Sequence, residues 1–355
     1  MGYAAGIARY AMLLSRALAE LDGPEEFVVL KARRAWRQRL GGESMLQRRC
    51  LTPPHHRLER WLLPLELAAH TRPALLHSLD HVSPAWGAWR SVVTLHDLAF
   101  LLYPETHTSA SRAYYAAAGE SARRAQRVIA VSQRTASDAV RLLGLDPARV
   151  RVVHEAAGPA FAPQPREALT PLAERLGFPP QQPYVLFVGT LEPRKNLPLL
   201  LDAFARLRNQ LDAHLVVVGA RGWLDEPIAA ARTQEAVHFA GWLDEHDLAV
   251  LYSHAGALAL PSMYEGFGLP VLEAMACGAP VVSSNAGPLP EVAGGAAVLL
   301  PPEDPVLWAR ALVQVLTEPA RATEMRSRGF VRAQAFSWRR TAEQTRDVYR
   351  EALLA

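Results

Sequence analysis

A chain of 355 residues, half of them hydrophobic, exceeds one ordinary core and points to two domains of about 150 to 180 residues each. No apolar run reaches the ~18 residues of a membrane span, and the start lacks the ordered regions of a signal peptide, so neither a transmembrane nor a secreted protein is expected. Two cysteines, Cys50 and Cys277, exclude a disulfide framework or a cysteine metal cluster and fit a reducing cytoplasm.

Charge is balanced overall but not along the chain. Residues 1–160 carry 21 basic and 14 acidic residues, and the remainder 17 and 21, so the first half is the one suited to something anionic. Lysine is almost absent: Lys31 and Lys195 stand beside 36 arginines, which fits a GC-rich genome and makes each lysine worth questioning.

The chain opens on MGYAAGIARYAMLLSRALAEL, a flexible turn at Gly2 and Gly6 leading into an amphipathic helix over 7–21. In a βαβ unit such a turn follows a strand. None precedes it here, so the first domain is expected to lack its first strand. The stretch 31–49 gathers Lys31, Arg33, Arg34, Arg37, Arg39, Arg48 and Arg49 around Trp36. It reads as a solvated loop and helix face, or as a patch for anionic lipid headgroups and hence a peripheral membrane contact.

From there short apolar runs alternate with helical stretches. The runs are 27–30, 74–78, 91–96, 127–132, 149–155, 184–190, 214–220, 237–241, 256–262 and 279–284. They are continuous and β-branched rather than alternating, which means strands buried on both faces. Strand–helix alternation predicts parallel sheets with right-handed crossovers. The fold class is therefore α/β, with two doubly wound Rossmann-like domains facing across a cleft. The proline-rich stretch 158–183 marks the boundary, giving an N-terminal domain over 1–165 and a C-terminal domain over 166–340. The final helix, 341–355, is able to pack on either.

Three motifs carry chemistry. In SMYEGFGLPVLEAMACGAPVV (262–282), Glu265 and Glu273 bracket a turn that cannot continue a helix. Pro270 suits a helix's first turn and Gly278 its stop. The backbone N–H groups of Phe267, Gly268 and Leu269 then form a helix N-terminus suited to phosphate. Carboxylates on either flank suit sugar hydroxyls, so the spacing fits a nucleotide sugar; a dipole partner and a surface loop residue are the plain alternative. In VGTLEPRKNLPLLLDAF (188–204), Gly189 ends a strand and Arg194 and Lys195 follow, a bidentate fork and a point charge for phosphate or else a solvated loop pair. In SVVTLHDLAF (91–100), His96 and Asp97 end another strand. There a histidine serves as general base, oxyanion donor or substrate clamp, or is structural and bonded to a nearby carbonyl. No metal-ligand spacing and no nucleic-acid module appears.

With these residues in view, the chain resembles the retaining glycosyltransferases of family 4, which have the two-Rossmann-domain GT-B fold. E-G-F-G-L-P-x-L-E-A-M-A-x-G-x-P-V-V looks like that family's signature, and V-G-x-x-x-P-R-K-N, the H-D after a strand and G-I-A-R-Y also match. The resemblance implies that Glu273 binds the ribose and that Glu265 contacts the donor sugar near the reacting carbon. Arg194 and Lys195 hold the diphosphate, and backbone groups at Phe267, Gly268 and Leu269 bind sugar and phosphate. The base sits near Gly241, Trp242 and Leu243, His96 lies close to the sugar, and Gly6 belongs to the first domain's glycine loop. The C-terminal helix crosses back onto the first domain. No metal or other cofactor is expected, because cations and a helix dipole carry the leaving group's charge. The chain departs from the family at H-E-A-A-G (154–158), where relatives often carry P-N-G-V-D.

The implied activity is retaining transfer of a hexose from a nucleotide sugar, GDP-mannose before UDP-glucose, to a glycan or lipid-linked acceptor hydroxyl, in bacterial polysaccharide synthesis on the cytoplasmic side of the membrane. A nucleotide-sugar epimerase of the same shape and a non-catalytic nucleotide-sugar binder are the alternatives. A nicotinamide oxidoreductase is disfavoured, since no G-x-G-x-x-G follows a strand.

Overall fold

The β-branched runs form parallel strands in the computed structural model, which describes residues 6–32, 45–53, 56, 58–70, 73–220 and 236–355. The chain divides into two units, Met1–Glu155 with Ser337–Ala355, and Ala156–Phe336. Both are Rossmann-like α/β layers. The proline-rich segment 158–183 belongs to the second.

The first unit begins, among its described residues, with helix α1 (Gly6–Ala19). Strands β1 (Val28–Ala32) and β2 (Leu46–Cys50) form a parallel pair. Helix α2 (Glu59–His70) leads to a four-stranded parallel sheet in the order β3 (Leu75–Ser78), β4 (Arg90–Leu95), β5 (Arg127–Ala130), β6 (Val150–Val152). Among the described residues β1 pairs only with β2, and β3 only with β4. The C-terminal helix Trp338–Leu354 packs in this unit: its Ala342 is buried with Tyr10, Leu14, Ala17 and Leu18 of α1. Ser337 starts that helix by accepting the Arg340 N–H.

The second unit holds one six-stranded sheet. Its strands are β7 (Tyr184–Val188), β8 (His214–Val218), β9 (Val237–Gly241), β10 (Ala257–Leu260), β11 (Val281–Ser284) and β12 (Val298–Leu300), in the spatial order β12-β11-β10-β7-β8-β9. Strands β7, β10 and β11 are buried at every position, as their continuous apolar runs require. The helix Leu197–Arg208 shows why its sequence is helical: Leu197, Leu200, Ala203, Phe204 and Leu207 recur at three- and four-residue spacing and bury one stripe against Phe187, Leu215 and Val217. The order runs outward from β7 through β8 and β9 on one side and from β10 through β11 and β12 on the other. The carboxyl ends of β7 and β10 therefore flank the switch point, where open α/β sheets bind ligands.

Each of the ten expected runs contains a strand, and the structure adds β2 and β12. β2 corrects the reading of 46–49 as loop or helix face. Parallel pairing with β1 satisfies one edge of its backbone, and Arg48 and Arg49 are exposed. Gly2 and most of the basic cluster (Arg33, Arg34, Trp36, Arg37 and Arg39) lie outside the described residues.

Candidate active site

The loops leaving β7 and β10 meet at the switch point. After β7 the chain passes Gly189 and makes a tight turn over Pro193–Lys195. Asn196 follows with φ 55°, the one positive-φ non-glycine residue among those described, and starts the helix Leu197–Arg208. The Asn196 amide donates to the Pro302 carbonyl at 2.7 Å, which anchors the turn. The Arg194 carbonyl accepts the Met263 N–H at 2.8 Å, tying this loop to the one after β10.

Glu265 lies at the centre of that junction and is only 6% exposed. Lys195 Nζ donates to both its carboxylate oxygens, at 2.6 and 2.8 Å. Ser262 Oγ donates to Oε1 at 2.7 Å and Arg194 Nη1 reaches Oε2 at 3.4 Å. Arg194 also donates to the Tyr264 carbonyl at 3.2 Å, and its Nε bonds Glu192 at 2.9 Å. Burial alone pushes the Glu265 pKa up, but the charges of Lys195 and Arg194, with the hydrogen bonds of Lys195 and Ser262, hold it below the usual carboxylate value. Glu265 is thus a buried, fully ionised group with each oxygen doubly occupied, and not a surface loop residue.

The turn after Glu265 depends on one glycine. Gly268 sits at φ 104°, a conformation side chains rarely adopt, and a Cβ there would come within 2.6 Å of Leu289 Cδ2. It caps the helix Leu269–Cys277, which has no side-chain cap and carries Pro270 in its first turn. Phe267 points into the interior, 4% exposed, edge-on to Phe336, so its contribution at the site comes from its backbone. Leu269 opens the helix. Glu273 is its fifth residue, beyond the first turn, so a dipole-partner role does not fit. It is 2% exposed, and Tyr252 Oη donates to its Oε2 at 3.2 Å.

A second glycine fixes the neighbouring strand ends. A Cβ on Gly219 would lie 1.9 Å from the Gly189 carbonyl oxygen, so the backbones after β7 and β8 touch. Trp242, half exposed, and Leu243 follow β9 and line a hollow of about 510 Å³ with Arg175, Phe239 and Asp247. Glu265 and Glu273 do not line it.

His96 and Gly6 belong to the first unit. β4 ends at Leu95, so His96 follows the strand and its ring is held inward. Nε2 meets the Leu79 carbonyl at 2.9 Å and Nδ1 meets Glu155 Oε1 at 3.1 Å. A carbonyl and a carboxylate are both acceptors, so both ring nitrogens carry protons. Burial opposes that charge, but the Glu155 hydrogen bond and charge, the Leu79 carbonyl and Asp80 raise the pKa above its ordinary value. An imidazolium has no lone pair for a proton, so in this state His96 is not a general base. Asp97 caps the next short helix by accepting the Ala99 N–H at 2.9 Å. Gly6, exposed, starts α1, with open space where a Cβ would stand.

Sequence reasoning missed Ser262, Tyr252, Glu192 and Glu155. Ser262 was within reach, because it stands three residues before Glu265 in the same motif. Glu192 was too, two residues before Arg194 in its own motif, whereas Tyr252 and Glu155 depend on tertiary contacts. Among the described residues no three His, Cys, Asp or Glu side chains are grouped to hold a metal ion.

Residues 171–332 match the family model of glycosyl transferases group 1, and residues 4–157 match glycosyltransferase family 4. The chain is 33% identical over 268 residues to an O-antigen chain mannosyltransferase B of Escherichia coli, across 74% of this chain and 70% of that protein. It is 36% identical over 255 residues to a D-inositol 3-phosphate glycosyltransferase of Kineococcus radiotolerans, across 64% of this chain and 58% of that one. It matches a serotype-specific mannosyltransferase of Escherichia coli at 31% identity but spans only 32% of its length. Among solved structures, a sucrose-phosphate synthase from Thermosynechococcus elongatus superposes with TM-score 0.78 at 23% identity, covering 98% of this chain and 93% of that one. Anabaena HepE in complex with UDP and glucose superposes with TM-score 0.78 at 19% identity, over 99% and 97%. The fold is GT-B, and the chain belongs to glycosyltransferase family 4, the group 1 glycosyl transferases.

Proposed function

We propose that the protein transfers a hexose from a nucleotide sugar to a hydroxyl of a glycan or lipid-linked acceptor with retention of anomeric configuration, preferring GDP-mannose and taking UDP-glucose next. The observation that carries this reading is the cluster of Arg194, Lys195 and Glu265 at the switch point, beside the helix N-terminus at Gly268 and Leu269. Two cations and a helix dipole there match a diphosphate, which is what a nucleotide sugar presents. Similarity to mannosyltransferases of O-antigen assembly supports mannose, while the HepE complexes with UDP and glucose keep the second donor in play.

In this mechanism the bond between the sugar's anomeric carbon and the β-phosphate oxygen breaks, and its electron pair stays on the phosphate. Arg194, Lys195 and the helix N-terminus stabilise that charge. The acceptor oxygen forms the new bond on the same face and gives up its proton to the departing β-phosphate oxygen. Glu265 positions Lys195 and Arg194 and, on releasing one of its present donors, accepts from a sugar hydroxyl. As a covalent nucleophile it would have to break bonds to Lys195, Ser262 and Arg194. Glu273, oriented by Tyr252, takes the ribose hydroxyls, and Trp242 and Leu243 take the base. On the resemblance alone, His96 is assigned a place close to the donor sugar, and Gly6 one in the glycine loop near the leaving phosphate and the acceptor.

The test is a donor screen that reads released nucleoside diphosphate with and without acceptor glycan. Acceptor-dependent GDP release from GDP-mannose is expected. Turnover of the sugar without acceptor would replace transfer with epimerisation, and binding without turnover would reduce the protein to a binder.

A further inference from the structure

The turn that carries the two cations also carries an acid, Glu192, two residues before Arg194. Its backbone is fixed on both sides. The Glu192 N–H donates to the Thr190 carbonyl at 2.8 Å, and the Glu192 carbonyl accepts the Lys195 N–H at 3.0 Å. The side chain therefore starts from a set origin. From there Oε2 accepts from Arg194 Nε at 2.9 Å, an ion pair in which both side chains are only 14% exposed.

Glu192 holds the guanidinium from its own turn, while the loop after β10 holds it from the other side. Arg194 Nη1 donates to the Tyr264 carbonyl at 3.2 Å and reaches Glu265 Oε2 at 3.4 Å. The Glu192 contact is the shortest of these three, so it contributes most to the aim of the fork. Its charge matters as well. Arg194 and Lys195 bring two positive charges, and Glu192 and Glu265, in direct contact with them, bring two negative ones. These four side chains sum to zero. A diphosphate arriving at Arg194 therefore meets a cation already partly offset, in a setting sheltered enough that salt and water screen the effect only in part.

We infer that Glu192 is a positioning residue of the diphosphate site: it aims the Arg194 fork and, by offsetting part of its charge, keeps the grip on the nucleoside diphosphate loose enough for that product to leave. The inference rests on the donor reading of the same site. Both carboxylates oppose the incoming charge, but only Glu192 can be neutralised cleanly. Glu265 is buried against Lys195, and removing it would strand that ammonium. Glu192→Gln keeps an oxygen that accepts from Arg194 Nε but drops the negative charge. Glu192→Ala drops both. The two substitutions therefore separate aim from charge.

The test is calorimetric titration of GDP and of guanosine into the full chain, as wild type, Glu192→Gln and Glu192→Ala, at low and high salt. Glu192→Gln should bind GDP more tightly than the wild type, on the order of tenfold, and guanosine unchanged, because the lost charge faces the phosphates and not the nucleoside. The gain should shrink at high salt. Glu192→Ala should bind GDP more weakly than Glu192→Gln, since its fork is no longer aimed. In turnover of GDP-mannose, GDP should inhibit Glu192→Gln at a concentration lower by the same factor. A merely structural glutamate predicts the reverse: both variants weaken GDP, or neither changes it. A wild type that binds GDP while Glu192→Gln binds it no more tightly overturns this inference and leaves the donor reading standing. So does a gain shared equally by guanosine, and an alanine variant that matches the glutamine one overturns the aiming role. A wild type that does not bind GDP overturns both readings together.

Discussion

Glu265 shows how one carboxylate organises a cationic site. Buried and ionised, it is stable only because Lys195, Arg194 and Ser262 surround it. Removing one partner of such a pair exposes the cost of the other. Lys195→Ala should therefore destabilise the second unit by about 3–5 kcal/mol in urea unfolding. Lys195→Met/Glu265→Leu should recover most of that stability while staying inactive, which separates folding from function. Tyr252→Phe removes one hydrogen bond to Glu273 and should cost only about 0.5–1.5 kcal/mol. If Glu273 holds ribose, the variant weakens the affinity for nucleosides without altering the preference for diphosphate over monophosphate. At this scale the site's charged residues were legible, because Arg194, Lys195, Glu265 and Glu273 stand in short local motifs. Their partners on other elements were not. Tyr252 approaches Glu273 from another helix, and Glu155 meets His96 from 59 residues away.

Between residue and fold, the decisive element is the turn into the helix Leu269–Cys277. Gly268→Ala would force a Cβ into a left-handed conformation and against Leu289. A cost of about 1–3 kcal/mol is expected, seen as a lower melting temperature, together with weaker binding of phosphate-bearing ligands than of the bare nucleoside. A variant that melts and binds like the wild type would show that the turn tolerates a side chain. The strands that escaped sequence reading share a physical cause. β2 carries two adjacent arginines and is stabilised by its pairing with β1, and β12 has three residues, too few for a periodic signal. The long buried runs were legible because burial on both faces leaves a compositional mark that needs no partner to be seen.

Across the molecule, the parallel α/β class followed from alternation of strands and helices, but strand order did not. Nothing local announces that β10 lies beside β7, and the switch point follows from that adjacency. Titration also acts at this scale. His96 has a raised pKa, so its ion pair with Glu155 stabilises the first unit fully below about pH 6.5 and fades as the pH climbs through the raised value. His77, bonded to Thr94 and Tyr349, has the opposite sign: burial, with the His96 charge, lowers it to about 3. Its neutral form contributes fully above pH 6.5, and stability is lost as the pH falls toward 3. Melting temperature plotted against pH should therefore fall on both sides of about 6.5. His96→Gln should flatten the alkaline limb and His77→Gln the acid one. Limbs unchanged in these variants would show that other groups govern the profile.

The central claim is that the cations at the switch point grip the diphosphate of a nucleotide sugar. Titration calorimetry of GDP and guanosine into the wild type and Arg194→Ala tests it most directly. The account predicts a strong preference for GDP over guanosine in the wild type, reduced on the order of thirtyfold in the variant, about 2 kcal/mol for a charge-assisted contact. A wild type that binds neither ligand, or a variant that keeps the full preference for GDP, would contradict it.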